Sequence, residues 1–391
     1  MTTQLVPVDI LKKADKVLFI AHLAIGDFTY LQNCFKSFSE AYPHIKIHIW
    51  VDDVRRTSNA AEWEHLKKYV LYDWLEACPF FAKVYKQTYS PDLFQQSIKE
   101  AQLEEYPLVV SLSTLRMPMY ATLARDISPH GFVTGMKKKP RFFAFGERAV
   151  YKKLNATVNY DAKGMTDQHI SDVYAEWFAS LFGYTTAPAS RFPFVLIPEQ
   201  WQHGAKELVR SWGCVRDENE NRQTRTSGKL LFINSYAKTP KRCWPLEHVL
   251  GLVTALKQQA EWRDAHFVIN VVPEEMAHAK SFFASHSSEY NAEHIHLFSA
   301  QENFFQLPAL LAQCDLILSV ETAVMHLANA VHVPVIALMR QKNPEWAPVD
   351  KANSTVITAG KRRDWVKEIT VDQVVAAFDQ YVQHSPNVQV V

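Results

Sequence analysis

Short apolar runs alternate with amphipathic stretches along nearly the whole chain. The first run, KVLFIA from Lys16 to Ala21, leads through a polar loop, HLAIGD, into a helical pattern from Asp27 to about Tyr42. IKIHIWV, Ile45 to Val51, reads as a second strand. Runs this short, bounded by breakers, predict buried strands rather than helices. The mixed polar stretch 54–105 predicts helix. PLVVSLS at 107–113 predicts a strand, Leu115 to Asp126 a helix, and HGFVTGM a further strand. Asp167 to Phe182 predicts a long amphipathic helix stopped by Gly183.

Residues 184–198 are rich in Pro, Ala and Thr and suit a crossing between domains. A helix is expected at 199–212, and the polar, breaker-rich stretch 216–228 reads as an exposed loop. The rhythm then restarts, with strands at 229–234, 266–270 and 294–298 and helices at 246–261, 273–285 and 305–313. DLILSVETAVMHLANAVHVPVIAL, 315–338, follows as a strand, a helix from Glu321 to Ala330, and a strand from Pro334 to Leu338. A last helix is expected at 371–383, either in the second half or packed back on the first. Strands alternating with helices predict an α/β fold with parallel sheets and helices on both faces. Two such halves, 1–190 and 191–391, predict two Rossmann-like domains with a cleft between them.

Composition narrows the picture. The 391 residues, 48% of them hydrophobic, suffice for two cores. Lys and Arg number 42 against 41 Asp and Glu, so no charge excess points to nucleic acid. No stretch is apolar for long enough to span a membrane, and the N-terminus lacks the marks of a secretory signal, so a cytoplasmic location is expected. Cys34, Cys78, Cys214, Cys243 and Cys314 are scattered and form no CxxC pair, which argues for reduced thiols and against a zinc site.

Four places could carry chemistry. Asp27, in AIGDF, sits where a helix starts and is either a cap or a general base. Gly26 before it would let the backbone turn tightly. NSYAKTPKRCWP, 234–245, puts Lys238, Lys241 and Arg242 in a strand-to-helix loop, where they either neutralise a diphosphate or are solvated. The segment Ser319, Glu321, Thr322 and His326 lies where a strand meets a helix N-terminus, a place suited to phosphate. On a continuous helix Thr322 and His326 would share a face. The stretch 137–153 is basic and interleaved with aromatics, fit for an anionic membrane surface or simply solvated. Neither GxGxxG after the first strand nor GxxxxGK[ST] occurs, which disfavours nicotinamide and P-loop readings. GxSxG, HExxH and DxD are also absent.

Taken in order, the IGD after the first strand, KRCWP, and SVETAVMHLANAVHVPVIAL resemble the lipopolysaccharide heptosyltransferases, glycosyltransferase family 9. Family members show a GD in the first loop, a Lys-x-Trp-Pro loop opening the second domain, and an S-x-D-T-G-x-x-H-x-x-A block. The resemblance covers most of the chain. It implies two facing Rossmann-like domains, the GT-B arrangement. It also implies inverting transfer of heptose from an ADP-sugar donor to a Kdo-lipid A acceptor, with no cofactor and no required metal, at the inner face of the cytoplasmic membrane. Asp27 would then be the base on the acceptor hydroxyl. Arg242 falls at the place of the phosphate-binding lysine, and Glu321 at that of the Asp holding donor sugar hydroxyls. Thr322 and Ala323 stand for the Thr-Gly near the diphosphate, and His326 matches the family's histidine. Ser235, Lys238 and Lys241 complete the donor-binding set, while Arg116, Lys137, Lys138, Lys139 and Arg141 are acceptor-binding candidates.

Three departures from the pattern bear on the roles carried over. Arg242 replaces Lys and keeps the charge with a different geometry. Glu321 replaces Asp and adds a methylene. Ala323 replaces Gly and would be strained at positive φ. Two other readings stay open: the same fold using another nucleotide-sugar donor or a protein acceptor, and a non-catalytic binder of nucleotide or lipopolysaccharide. The oligomeric state is not legible.

Overall fold

A computed structural model describes residues 4–52, 56–138, 145–160, 168–214, 228–286 and 294–384. The chain divides into two compact units, Met1–Phe192 and Pro193–Val391. Each is built on a six-stranded parallel sheet.

In the first unit the strands are β1 (Lys16–Ala21), β2 (Lys46–Val51), β3 (Phe81–Tyr85), β4 (Leu108–Ser111), β5 (Phe132–Lys137) and β6 (Ala156–Asn159). Their order across the sheet is β3-β2-β1-β4-β5-β6. Val17 to Ala21 of β1 are all fully buried. Covering both faces of a central parallel strand leaves no polar position along it, which is why the sequence shows an unbroken apolar run there. Helices Ile25–Ala41 and Ile170–Phe182 pack together beside this strand. Between them the Phe19 ring meets those of Phe35, Phe38, Phe178 and Phe182, with centroids 5.1–6.1 Å apart. Gly183 ends the second of these helices in the left-handed region, φ 77°, and a Cβ there would lie 2.3 Å from the Gln4 side chain.

The second unit has β7 (Leu230–Asn234), β8 (His266–Asn270), β9 (Ile295–Phe298), β10 (Leu316–Val320), β11 (Val335–Met339) and β12 (Ser354–Thr358). The order is β12-β11-β10-β7-β8-β9. Helix Val371–His384 packs on helix Leu246–Lys257, and the Phe378 ring lies 5.4 Å from that of Trp262.

The α/β class and parallel sheets agree with the pattern, and three strands go beyond it. β3 overturns the reading of 54–105 as wholly helical, and β6 and β12 were not expected. All three are sheet edges. An edge strand is covered less completely, so its residues stay mixed, as in the half-buried FAKVY of β3. The exposed loop expected at 216–228 lies outside the described residues, except for Gly228.

In each sheet the strand order reverses at one point, between β1 and β4 and between β7 and β10. Chain segments leaving the carboxyl ends of such a pair diverge, and ligands of open α/β sheets bind in the resulting crevice. Asp27 follows β1 and Arg116 follows β4. Ser235 to Arg242 follow β7, and Glu321 to His326 follow β10.

Candidate active site

Asp27 is the third residue of helix Ile25–Ala41, which starts two residues earlier than the pattern suggests. Gly26 therefore lies inside the first helical turn rather than in a tight turn before it. The carboxylate reaches back to the helix start: the Ala24 amide donates to Oδ2 at 3.1 Å. Alanine offers no acceptor in return, so only half of a capping box is formed. The Tyr174 hydroxyl donates to Oδ1 at 3.1 Å. Burial raises the Asp27 pKa, opposed by the Ala24 amide, the Tyr174 hydroxyl and nearby His22. A carboxylate made more basic while still held by two donors is fit to accept a proton.

A second carboxylate lies at the neighbouring strand end. Asp52 follows β2 and is buried. It accepts from the Tyr120 hydroxyl at 2.9 Å and pairs with Arg56. Its pKa is raised by burial, against Arg56 and Tyr120. His22 Nδ1 lies 3.5 Å from the Asp52 carbonyl, so one histidine stands beside both carboxylates. Arg116 is exposed and left-handed, φ 50°, just before helix Met117–Ile127.

In the second unit Asn234, the last residue of β7, ties two motifs together. Its Nδ2 donates to Ser319 Oγ at 3.1 Å and to Thr322 Oγ1 at 2.9 Å. Asn270 Nδ2 donates in turn to Asn234 Oδ1 at 2.8 Å. Thr322 is the N-cap of helix Ala323–Ala330 and accepts from the Val324 amide at 3.4 Å. Its side chain thus turns back toward the strand and does not share a helical face with His326. Ala323 is the first helical residue and is not at positive φ, so replacing Gly there causes no strain.

The loop after β7 is held from below. Trp244 is buried, and its Nε1 donates to the Ile369 carbonyl at 2.9 Å. The Trp244 amide donates to the Ser235 carbonyl at 2.9 Å, and the Ala237 amide to Cys243 Sγ at 3.3 Å. These contacts lift Lys238 and Lys241 into solvent and leave Arg242 half-buried. Arg242 Nε lies 3.7 Å from Glu321 Oε1, so the loop after β7 meets the N-terminus of the helix after β10. Glu321 is only 4% exposed. Arg340, directly after β11, forks it: Nε donates to Oε2 at 2.9 Å and Nη2 to Oε1 at 3.1 Å. The Ser235 hydroxyl is buried and has no hydrogen-bond partner among the described residues. His326 is buried, with the Trp346 ring 5.9 Å away.

The structure thus brings Arg242, Glu321, Thr322 and Ala323 together, with Ser235 one residue beyond Asn234. Among the acceptor candidates, Lys137 ends β5 and Lys138 is exposed. Lys139 and Arg141 lie outside the described residues. Sequence reasoning assigned no role to Asn234, Arg340, Asp52, Tyr120 or Tyr174. For Asn234, Asp52 and Arg340 a signal was present: each is a polar residue at or just past the carboxyl end of an apolar run. Tyr174 and Tyr120 sit on helices, and no local pattern singles them out.

The family model for glycosyltransferase family 9 (heptosyltransferase) matches residues 131–371. The chain belongs to glycosyltransferase family 9. It is a glycosyltransferase on that ground. Solved structures of similar fold include a glycosyl transferase family 9 protein from Veillonella parvula, with 16% identity, a TM-score of 0.70, and cover of 95% of this chain and 98% of that one. The E. coli ADP-heptose lps heptosyltransferase II has 14% identity and a TM-score of 0.65, with 94% and 98% covered. E. coli heptosyltransferase WaaC with ADP has 15% identity and a TM-score of 0.58, again with 94% and 98% covered. No curated protein matches the chain. At these identities the likeness is one of fold. In this family 9 chain the GD, KRCWP and SVETA motifs all fall on the two switch-point crevices.

Proposed function

We propose that this glycosyltransferase moves heptose from an ADP-activated donor to a Kdo-lipid A acceptor, with inversion and without a metal. The observation that carries the donor side is the 3.7 Å approach of Arg242 to Glu321 at the start of helix Ala323–Ala330. It places a guanidinium beside a helix N-terminus, whose first-turn N–H groups and dipole suit a diphosphate. A departing nucleoside diphosphate gains negative charge, and preorganised cations and N–H groups stabilise it. The WaaC structures with ADP and with ADP-2-deoxy-2-fluoro heptose support the choice of nucleotide. On the acceptor side Asp27 takes the hydroxyl proton, with Oδ1 and Oδ2 kept in place by Tyr174 and Ala24.

One observation favours a different sugar on the same diphosphate. Both oxygens of Glu321 already accept from Arg340 and the residue is nearly buried, so the side chain at the family's Asp position has less acceptor capacity left for sugar hydroxyls. Thermal-shift titration with ADP-, UDP- and GDP-sugars tests the nucleotide, and with ADP-heptose against other ADP-sugars it tests the sugar; stabilisation by UDP-sugars alone would sink the ADP-heptose assignment. A direct assay of ADP release with a Kdo-containing lipid A acceptor then separates an enzyme acting on that acceptor from a binder. No helix among the described residues is long and apolar enough to cross a membrane. Peripheral binding through Lys137 and its basic neighbours on an anionic inner leaflet is part of the proposal, and salt-sensitive co-sedimentation with anionic vesicles tests it.

A further inference from the structure

We propose that Arg340 is a positioning residue for diphosphate binding: by taking both oxygens of Glu321 it leaves the Arg242 guanidinium available to the ligand. The inference rests on the nucleotide-diphosphate reading of this site and adds a residue to it.

Glu321 is a buried carboxylate at the edge of the crevice where the diphosphate is placed. Left alone it would repel that ligand and attract whichever cation lies nearest. Two guanidiniums are in reach. Arg340 is itself nearly buried, at 11% exposure, and meets the carboxylate with two hydrogen bonds of 2.9 and 3.1 Å. Arg242 is 38% exposed and approaches to only 3.7 Å, beyond hydrogen-bond range. A bidentate fork is the stronger contact, so Arg340 satisfies Glu321 and Arg242 does not have to. The three side chains together carry one net positive charge, and it resides on the more exposed arginine. Without Arg340 the same loop would let Arg242 close on Glu321, and the cluster would present no net charge to the ligand. The added methylene of Glu321 relative to Asp and the arginine at the end of β11 thus act as a pair.

The test is binding of ADP and of inorganic pyrophosphate to the full chain by calorimetry, with melting temperatures recorded for each variant. Arg340→Gln should weaken ADP about tenfold, ~1.4 kcal/mol. Glu321→Gln combined with Arg340→Gln should recover most of the loss, because the competing anion is gone. Glu321→Gln alone should bind ADP as tightly as wild type or more so. Arg340→Gln binding like wild type, or a double variant as weak as the single one, overturns the proposal. If Arg340→Gln does not fold, Glu321→Gln decides alone, and weakened binding overturns it. Wild type that binds no nucleoside diphosphate would sink the donor reading instead, and pyrophosphate titration of the same variants would still test Arg340.

Discussion

The Tyr174 hydroxyl donates to Asp27 Oδ1 at 3.1 Å, from a helix that closes the first unit to the carboxylate that opens it. This bond opposes the effect of burial on the Asp27 pKa. Tyr174→Phe removes it, so the pKa should rise further. A base must be deprotonated, so the acidic limb of the kcat/KM profile should move to higher pH. Activity should be lost at mildly acidic pH and largely kept above it. A profile that does not move would detach Tyr174 from the base.

Asp27→Asn tests the base itself. The amide keeps the size of the side chain and can still accept from Ala24, but it cannot take a proton. Transfer should fall at least ~100-fold, in the range typical of losing general base catalysis. ADP binding measured by calorimetry should persist. Near-normal turnover would show that the carboxylate is only a cap.

Asn234→Ala should cost about 1–3 kcal/mol, because buried Ser319 and half-buried Asn270 lose a partner together. Thr322 would lose its 2.9 Å donor as well, so ADP affinity should drop with stability. Urea denaturation and ADP titration on the same preparation would show whether both fall. Unchanged ADP affinity would mean that Thr322 is held well enough by the helix start.

The pH dependence of stability has a source in the second unit. His296 stacks on Trp212 and lies 2.9 Å from His266, with His294 and Lys257 next in line. Burial and then neighbouring His294 lower its pKa from 6.5 to about 4. The folded state therefore binds this proton less readily than the unfolded state. The stabilising effect is fully present above pH ~6.5 and is lost as pH falls toward ~4, by about 3 kcal/mol at most. Urea midpoints of His296→Gln at pH 7 and pH 5 should differ less than those of wild type. Equal differences would remove His296 as the cause.

Trp244 supports the cationic loop. Trp244→Leu leaves the Ile369 carbonyl without its 2.9 Å donor and opens space in the core, at about 2–4 kcal/mol. ADP affinity should weaken more than for a core change of equal cost that does not touch the loop, such as Phe378→Leu, whose ring packs on Trp262. Equal weakening would show that the loop does not depend on its anchor.

Much of this protein was written locally. KVLFIA and DLILSV are strands because no polar residue interrupts them, and a sheet covered on both faces asks for that. Each of the three motifs lies just past such a run, so a candidate site was visible once strand ends were located. What could not be read locally depends on contacts between distant positions. β3, β6 and β12 gain stability from pairing at sheet edges, and their own residues barely mark them. Asp27 could be a cap or a base in sequence, and the fold shows one oxygen on Ala24 and the other on Tyr174. Glu321 and Arg340 are unrelated letters in the chain. Only parallel pairing of β10 with β11, which sets their carboxyl ends side by side, brings the carboxylate to the fork.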